Sequence, residues 1–184
     1  MDELSLYVLD ITMNSVRAGA TQIEITLCED GEWLDFSVTD NGCGMKQEQV
    51  DKLMNPFFTT RKTRKVGLGI PFLTMLAEMT GGNVTITSKH ESEYTDHGTT
   101  TTARFGRHHI DFIPIGDMVE TVKTLIQGSP DINFTYRHIM EGGEVSLSCS
   151  ELREVLGEDI PLNEPEILMW IDGNLREQYD EADK

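Results

Sequence analysis

Three short stretches of this sequence carry residues whose types and spacing could do chemistry. Asp40-Asn-Gly42-Cys-Gly44-Met45 brings a carboxylate and two glycines within six residues. A carboxylate accepts hydrogen bonds from an amine, and glycine lets a flat group lie close against main chain. Adenine, with its exocyclic amine, answers both features, although an Asn-Gly pair also suits a plain turn between elements. Lys65-Val-Gly67-Leu-Gly69 follows Arg61, Lys62 and Arg64 and opens a helical pattern. Bare helix-start amides beside positive charge suit a chain of phosphates, and the alternative is a solvated basic loop ahead of an ordinary helix. Asn14 offers an amide oxygen of the kind Mg²⁺ takes, and Asp10, one turn earlier, could orient or deprotonate a water. The alternative for Asp10, Asn14 and Arg17 is a solvated helix face.

The elements needed to position these groups can be read from periodicity. Leu4, Val8, Ile11, Ser15 and Ala18 recur at four- and three-residue steps, which predicts a helix with one mostly apolar stripe, stopped by Gly19. Asp10, Asn14 and Arg17 share that spacing but lie about a quarter turn or more from the stripe at ~100° per residue. Ile23, Ile25 and Leu27, then Leu34, Phe36 and Val38, alternate about a polar turn and predict an antiparallel hairpin. The Asp40 to Met45 segment therefore follows a strand and precedes a short helix from about Lys46 to Met54. After NPFFTTRKTRKVGLGIPF, the residues Phe72, Leu73, Leu76, Ala77 and Met79 predict a second long helix ending at Gly81 and Gly82. The strands NVTITSK and TTTTARF close this region near Gly106.

A new pattern begins at Arg107. Met118, Val122, Leu125 and Ile126 predict a helix, INFTYRH and EVSLSCS a hairpin turned at Gly142 and Gly143, and two terminal helices follow, the last opened by Pro165. The expected organisation is a domain of residues 1–106 and a small α+β region, residues 107–184, packed on it, because a unit of that size is marginal alone. In the last helix Ile167, Leu168, Ile171 and Leu175 form one stripe with Trp170 beside it. That surface either covers the hairpin or docks a protein partner or a second copy. The final EQYDEADK is expected to fray.

Fifteen Lys and Arg against thirty-two Asp and Glu give a net charge of −17 in 184 residues. Long-range attraction to nucleic acid or to anionic lipid is thereby disfavoured. The acidic opening and the lack of a long apolar run predict a cytoplasmic protein with no membrane contact. Cys28, Cys43 and Cys149 are far apart and without CxxC spacing, which suggests neither a disulfide framework nor a zinc site.

Taken in order, Asp10-x-x-x-Asn14, DNGCGM, the FFTT and GLG segment, and Gly98-Thr99 resemble the N, G1, F, G2 and G3 boxes of the GHKL superfamily. NSVRAGATQIEI looks most like mismatch-repair ATPases, whereas PFFTTRKTRKVGLGIPF looks like the catalytic domain of sensor histidine kinases. The resemblance covers about residues 4–106. It implies an α+β Bergerat-type sandwich, a mixed and mostly antiparallel sheet with helices on one face, extended by the small C-terminal α+β unit. It also implies ATP and Mg²⁺ as ligands.

By that resemblance Asn14 would hold magnesium, Asp40 would take the adenine amine, and Gly42 and Gly44 would form the pocket wall. Gly67 and Gly69 would lie by the phosphates, Arg17 would contact phosphate, and Thr99 would hydrogen-bond near the adenine. Met45, Thr60, Arg61, Lys65 and Leu68 complete the expected nucleotide site. Asp10 departs from the family, since ATP-hydrolysing members carry Glu as general base there and many histidine kinases carry Asn. No helical hairpin with a phospho-acceptor histidine precedes the pocket, and His90, His97, His108, His109 and His138 all follow its first motifs. The resemblance therefore implies a stand-alone, histidine-kinase-like protein that phosphorylates or regulates a partner. A slow ATPase switch that dimerises on ATP, and a sensor of nucleotide without chemistry, are the alternatives.

Overall fold

A computed structural model of the chain describes residues 3–55 and 69–184. The first helix, α1 (Leu4–Arg17), buries Leu4, Val8 and Ile11 and ends where Gly19 takes a φ of 78°. The hairpin of β1 (Gln22–Glu29) and β2 (Trp33–Asp40) pairs Ile23 with Asp40 and Leu27 with Phe36. Alternation puts Ile23, Ile25, Leu27, Leu34, Phe36 and Val38 on the core face. Next come α2 (Gln47–Met54) and α3 (Gly69–Met79), then β3 (Asn83–Lys89) and β4 (Gly98–Gly106).

The remaining elements are α4 (Met118–Gly128), β5 (Asn133–Met140), β6 (Gly143–Ser148), α5 (Cys149–Leu156) and α6 (Pro165–Ala182). Asp117 caps α4 by accepting from the Glu120 amide at 3.0 Å, and Ser148 caps α5 in the same way. The hairpin turns at Glu141 and Gly142, one residue earlier than the Gly142 and Gly143 read from the sequence, because Gly143 already pairs with Met140 as the first residue of β6.

Among the described residues six strands form one sheet in the order β3-β4-β2-β1-β5-β6. Every pairing is antiparallel except β1 with β5, which runs parallel from Gln22 opposite Asn133 to Cys28 opposite Ile139. The C-terminal hairpin thus continues the sheet instead of forming a layer of its own. Helix α1 packs on β1 and β2, α3 on β3 and β4, and α6 on β6, while α4 packs against α1 and α6. The opposite sheet face over β1 to β4 carries polar residues such as Thr26, Ser37, Thr85, Thr102 and Arg104. This is the mixed, mostly antiparallel α+β sandwich expected of a Bergerat-type chain.

One further local expectation differs. The end of the chain does not fray at EQYD: α6 runs on to Ala182 because Tyr179 is anchored, its hydroxyl 2.8 Å from His138 Nδ1 and 2.5 Å from the Tyr136 hydroxyl. Gln178 adds a second anchor, accepting from the Ser146 amide at 2.8 Å and donating to the Ser146 carbonyl at 3.0 Å. Its side-chain amide pairs with the outer edge of β6 as a neighbouring strand would. The three cysteines are free, with Cys149 fully buried and Cys28 and Cys43 half-buried. Among the described residues no helix is long and apolar enough to cross a membrane.

Candidate functional site

The site grows from the point where β2 ends beside the last turn of α1. Asp40 closes β2 and lies opposite Thr99 of β4. Its Oδ2 accepts the Ser15 hydroxyl at 2.6 Å, and its Oδ1 accepts the amides of Gly42 at 2.8 Å and Thr99 at 3.3 Å. Three donors therefore fix the carboxylate, and of its roughly four acceptor positions the one left free by them is on Oδ2. A donor arriving from the cavity would meet a charge already oriented, which is where charge-assisted hydrogen bonds gain most.

The loop after Asp40 is shaped by close approaches. Gly44 has a φ of 72°, and a β-carbon there would overlap the Lys89 carbonyl. A β-carbon on Gly42 would stand 2.8 Å from that of Ala18, at the end of α1. Gly98, with a φ of 147°, passes just as closely over the Asp40 carbonyl. Ser88 ties the loop to the sheet, accepting from the Met45 amide at 2.7 Å while its hydroxyl lies 2.7 Å from that of Thr99. His97 Nδ1 donates to the Gly42 carbonyl at 2.5 Å.

A cavity of about 180 Å³ opens between these elements. Asn14, Asp40, Gly44, Met45 and Thr99 supply its polar and backbone wall, and Ile11, Leu53 and Ile70 its apolar wall. Whole-ligand pockets usually measure ~300–1,000 Å³, so this volume takes a flat base and leaves the rest of a nucleotide outside it. The mixture suits a heterocycle, with apolar faces above and below and an acceptor at its edge.

Farther along α1, Asn14 Oδ1 accepts from Arg17 Nη1 at 3.0 Å. Arg17 is exposed and Asn14 half-buried at the cavity rim. One amide oxygen completed by waters and phosphate oxygens fits the habits of Mg²⁺. Among the described residues no cluster of His, Cys, Asp and Glu is arranged to hold a metal by itself. Asp10 lies one turn back, its carboxylate against Gly69, so closely that a β-carbon on Gly69 would overlap Oδ2. The candidate base and the start of α3 are thus adjacent.

Of the residues singled out in the sequence, Asn14, Asp40, Gly44, Met45 and Thr99 line one cavity, Gly42 backs it, and Asp10, Arg17 and Gly69 stand along its α1 side. Thr60, Arg61, Lys65, Gly67 and Leu68 lie outside the described residues. Ser15, Ser88 and His97 were not legible as site residues. Ser15 carried a signal all the same: a hydroxyl within an otherwise apolar stripe needs a partner once buried, and here the partner is Asp40.

Comparison with known proteins places the chain. Residues 2–109 match the family described as histidine kinase-, DNA gyrase B-, and HSP90-like ATPase. The sensor histidine kinase ZraS of Escherichia coli K12 is 32% identical over 90 residues, which is 48% of this chain and 19% of the kinase. Sporulation kinase B of Bacillus subtilis is 30% identical over 105 residues, 55% of this chain and 23% of that protein. The match thus spans about a fifth of the length of these relatives. Among solved structures, the Aquifex aeolicus MutL ATPase domain complexed with ADP superposes with a TM-score of 0.56 at 19% identity, over 86% of this chain and 68% of that one. The N-terminal domain of a DNA repair protein gives 0.53 at 21% identity, over 80% of this chain and 53% of the other.

Proposed function

Since the chain belongs to the histidine kinase-, DNA gyrase B- and HSP90-like ATPases, we propose that it binds Mg-ATP beside Asp40 and acts as a nucleotide-dependent regulator or kinase of a partner protein. The observation that carries this reading is the Asp40 carboxylate, held by Ser15, Gly42 and Thr99 at the edge of a base-sized cavity. The adenine amine donates to Asp40, and the ring lies against Gly44 and Met45. Asn14 supplies the protein oxygen for Mg²⁺ once Arg17 turns from it to phosphate. The metal contributes neutralisation of phosphate charge. Proteins are favoured over nucleic acid as partners by the surplus of negative charge.

The fold also supports an effect beyond the pocket. Ser5 on α1 donates its amide to Ile115 at 2.7 Å and accepts from the Thr121 hydroxyl of α4 at 3.2 Å. Helix α4 in turn packs on α6. A shift of α1 on nucleotide binding therefore has a packed route to the C-terminal helices.

Calorimetry tests the binding and mass spectrometry the action. Asp40→Asn should weaken ATP and ADP alike by about 1–3 kcal/mol, the cost of spoiling a buried charged hydrogen bond. Asn14→Ala should weaken magnesium-dependent ATP binding and leave magnesium-free adenosine binding nearly intact. Incubation with ATP should leave a phosphoryl group on a co-purified protein or change that protein's activity; the absence of both effects would remove the regulator reading. One observation favours slow hydrolysis as a second reading: the Asp10 carboxylate stands at the start of α3, where a general base would face the phosphates. Steady phosphate release that Asp10→Asn abolishes would select it.

A further inference from the structure

A second cavity bounded by described residues lies far along the sheet from Asp40. It is a groove of about 770 Å³ between α5 and the first half of α6, floored by outward-facing residues of β5 and β6. Leu152, Val155 and Leu156 form one wall at helical spacing, and Ile167 and Trp170 form the other. The apolar stripe of α6 divides in two. Ile171 and Leu175 are fully buried against the core, whereas Trp170 is 53% exposed and Val155 opposite it 84% exposed. Core packing accounts for the first pair and leaves the second unexplained, because large apolar side chains gathered about a concavity mark an interaction site.

Charge narrows the occupant. From Glu151 to Glu166 the chain carries Glu151, Glu154, Glu158, Asp159, Glu164 and Glu166 against the single cation Arg153. Arg153 is turned inward onto the carbonyls of Pro130 and Ile132. Among the described residues lining the groove the one cation, Arg137, is held by Glu144 at 2.7 Å. The rim therefore presents uncompensated carboxylates around an apolar trough. An anionic peptide or an anionic lipid surface would be repelled, and a purely apolar one would leave the carboxylates without partners.

We propose that this groove docks an amphipathic basic helix of a partner protein, its apolar face on Val155 and Trp170 and its Lys or Arg residues toward Glu151 and Glu166. Residues 166 to 174 of α6 run ~12 Å along the groove at 1.5 Å per residue, enough for two to three turns of such a helix. This names the kind of partner for the regulator reading and rests on that reading only for its purpose. Peptide binding lost while ATP binding persists overturns the docking surface alone, and the reverse overturns the nucleotide site alone.

The probe is a synthetic Leu/Lys amphipathic peptide of about 14 residues, roughly four turns, titrated into the full chain carrying Trp33→Phe so that Trp170 alone reports. Saturable binding with a shift of Trp170 emission is expected. Affinity should fall about tenfold or more in Val155→Asp, as when an interface anchor is lost, with unchanged melting because Val155 is exposed. A Leu/Glu peptide of the same pattern should not bind. Equal affinity for wild type and Val155→Asp would mean that the peptide reads only bulk charge and would overturn the proposal. So would binding of the Leu/Glu peptide. A concentration-dependent dimer abolished by Val155→Asp would assign the groove to a second copy and overturn it as well.

Discussion

The Ser15 hydroxyl donates to Asp40 Oδ2 at 2.6 Å across the junction of α1 and β2. Ser15 is buried, and Asp40 lies at the cavity edge. The bond joins the helix that carries Asn14 to the strand end that carries the candidate adenine acceptor. Removing it leaves the carboxylate held only at Oδ1, by the amides of Gly42 and Thr99. Ser15→Ala should therefore weaken nucleotide binding by about 1 kcal/mol, less than Asp40→Asn, since an ordinary hydrogen bond contributes ~0.5–1.5 kcal/mol. Calorimetry with ADP checks this, and a variant that binds as tightly as wild type would show that Gly42 and Thr99 orient Asp40 unaided.

Gly69 and Asp10 give a prediction of a different kind. A β-carbon at residue 69 would collide with Asp10 Oδ2. Gly69→Ala should lower stability by about 1–3 kcal/mol, the usual cost of overpacking a filled site. The cause should be visible in a double-mutant cycle, because Asp10→Ala removes the atom that collides. The double variant should be more stable than the sum of the single effects requires. Additive losses would place the damage in the backbone of α3 instead.

These two relationships also mark where the sequence was legible and where it was not. Local periodicity gave α1, the β1-β2 hairpin, α3 and the C-terminal hairpin, because an apolar stripe or an alternation is a property of neighbours along the chain. Asp40 and Gly44 stood out for the same reason, lying together in six residues. Ser88 did not, since a serine within a Thr-rich strand has no signature until Met45 folds back onto it from forty-three residues away. The parallel pairing of β1 with β5 was hidden too, because pairing across a hundred residues leaves no period to read. The anchored chain end was missed because Tyr179 sits in a charged tail and its partners, Tyr136 and His138, belong to β5, some forty residues earlier.

That anchor supplies a pH prediction. His138 is buried, and its Nε2 donates to Glu29 Oε2 at 2.7 Å, since a carboxylate can only accept. The bond from His138 holds the Glu29 carboxyl below its ordinary value of 4.5, against the opposing effect of burial. A depressed carboxyl stabilises the fold above its unfolded value, and that stability is lost as pH falls through the lowered one. Burial raises Tyr179 from 10 to about 12. Its contribution is present below pH 10 and lost as pH rises toward 12. Melting temperature against pH should therefore fall on both sides. Glu29→Gln should flatten the acid limb below about pH 4.5 and Tyr179→Phe the alkaline limb above about pH 10. Unaltered limbs in these variants would assign the pH dependence to other groups.

Truncation after Gly106 asks whether residues 1–106 can stand without residues 107–184. Removing the C-terminal region strips β5 from β1 along the register from Gln22 to Cys28, leaving the backbone of β1 as an open edge. It also uncovers the core. Phe134 and Tyr136 leave the face beside Ile23 and Ile25, and Met118, Val119 and Val122 of α4 leave the flank of α1. Each such side chain contributes about 1.5–3 kcal/mol when fully buried, so the joint loss of these five, roughly 7.5–15 kcal/mol, is as large as the ~5–15 kcal/mol by which domains are usually stable. The start of α1 loses the carbonyls of Pro114 and Ile115, which accept from the amides of Leu4 at 2.9 Å and Ser5 at 2.7 Å. Because Asn14 and Ser15 ride on that helix, the nucleotide site should fail together with the fold. The expected result is a fragment of low solubility that melts without cooperativity and does not bind ATP. A soluble, cooperatively melting fragment with the full chain's ATP affinity would instead make the C-terminal region an appendage, free to move as partners require.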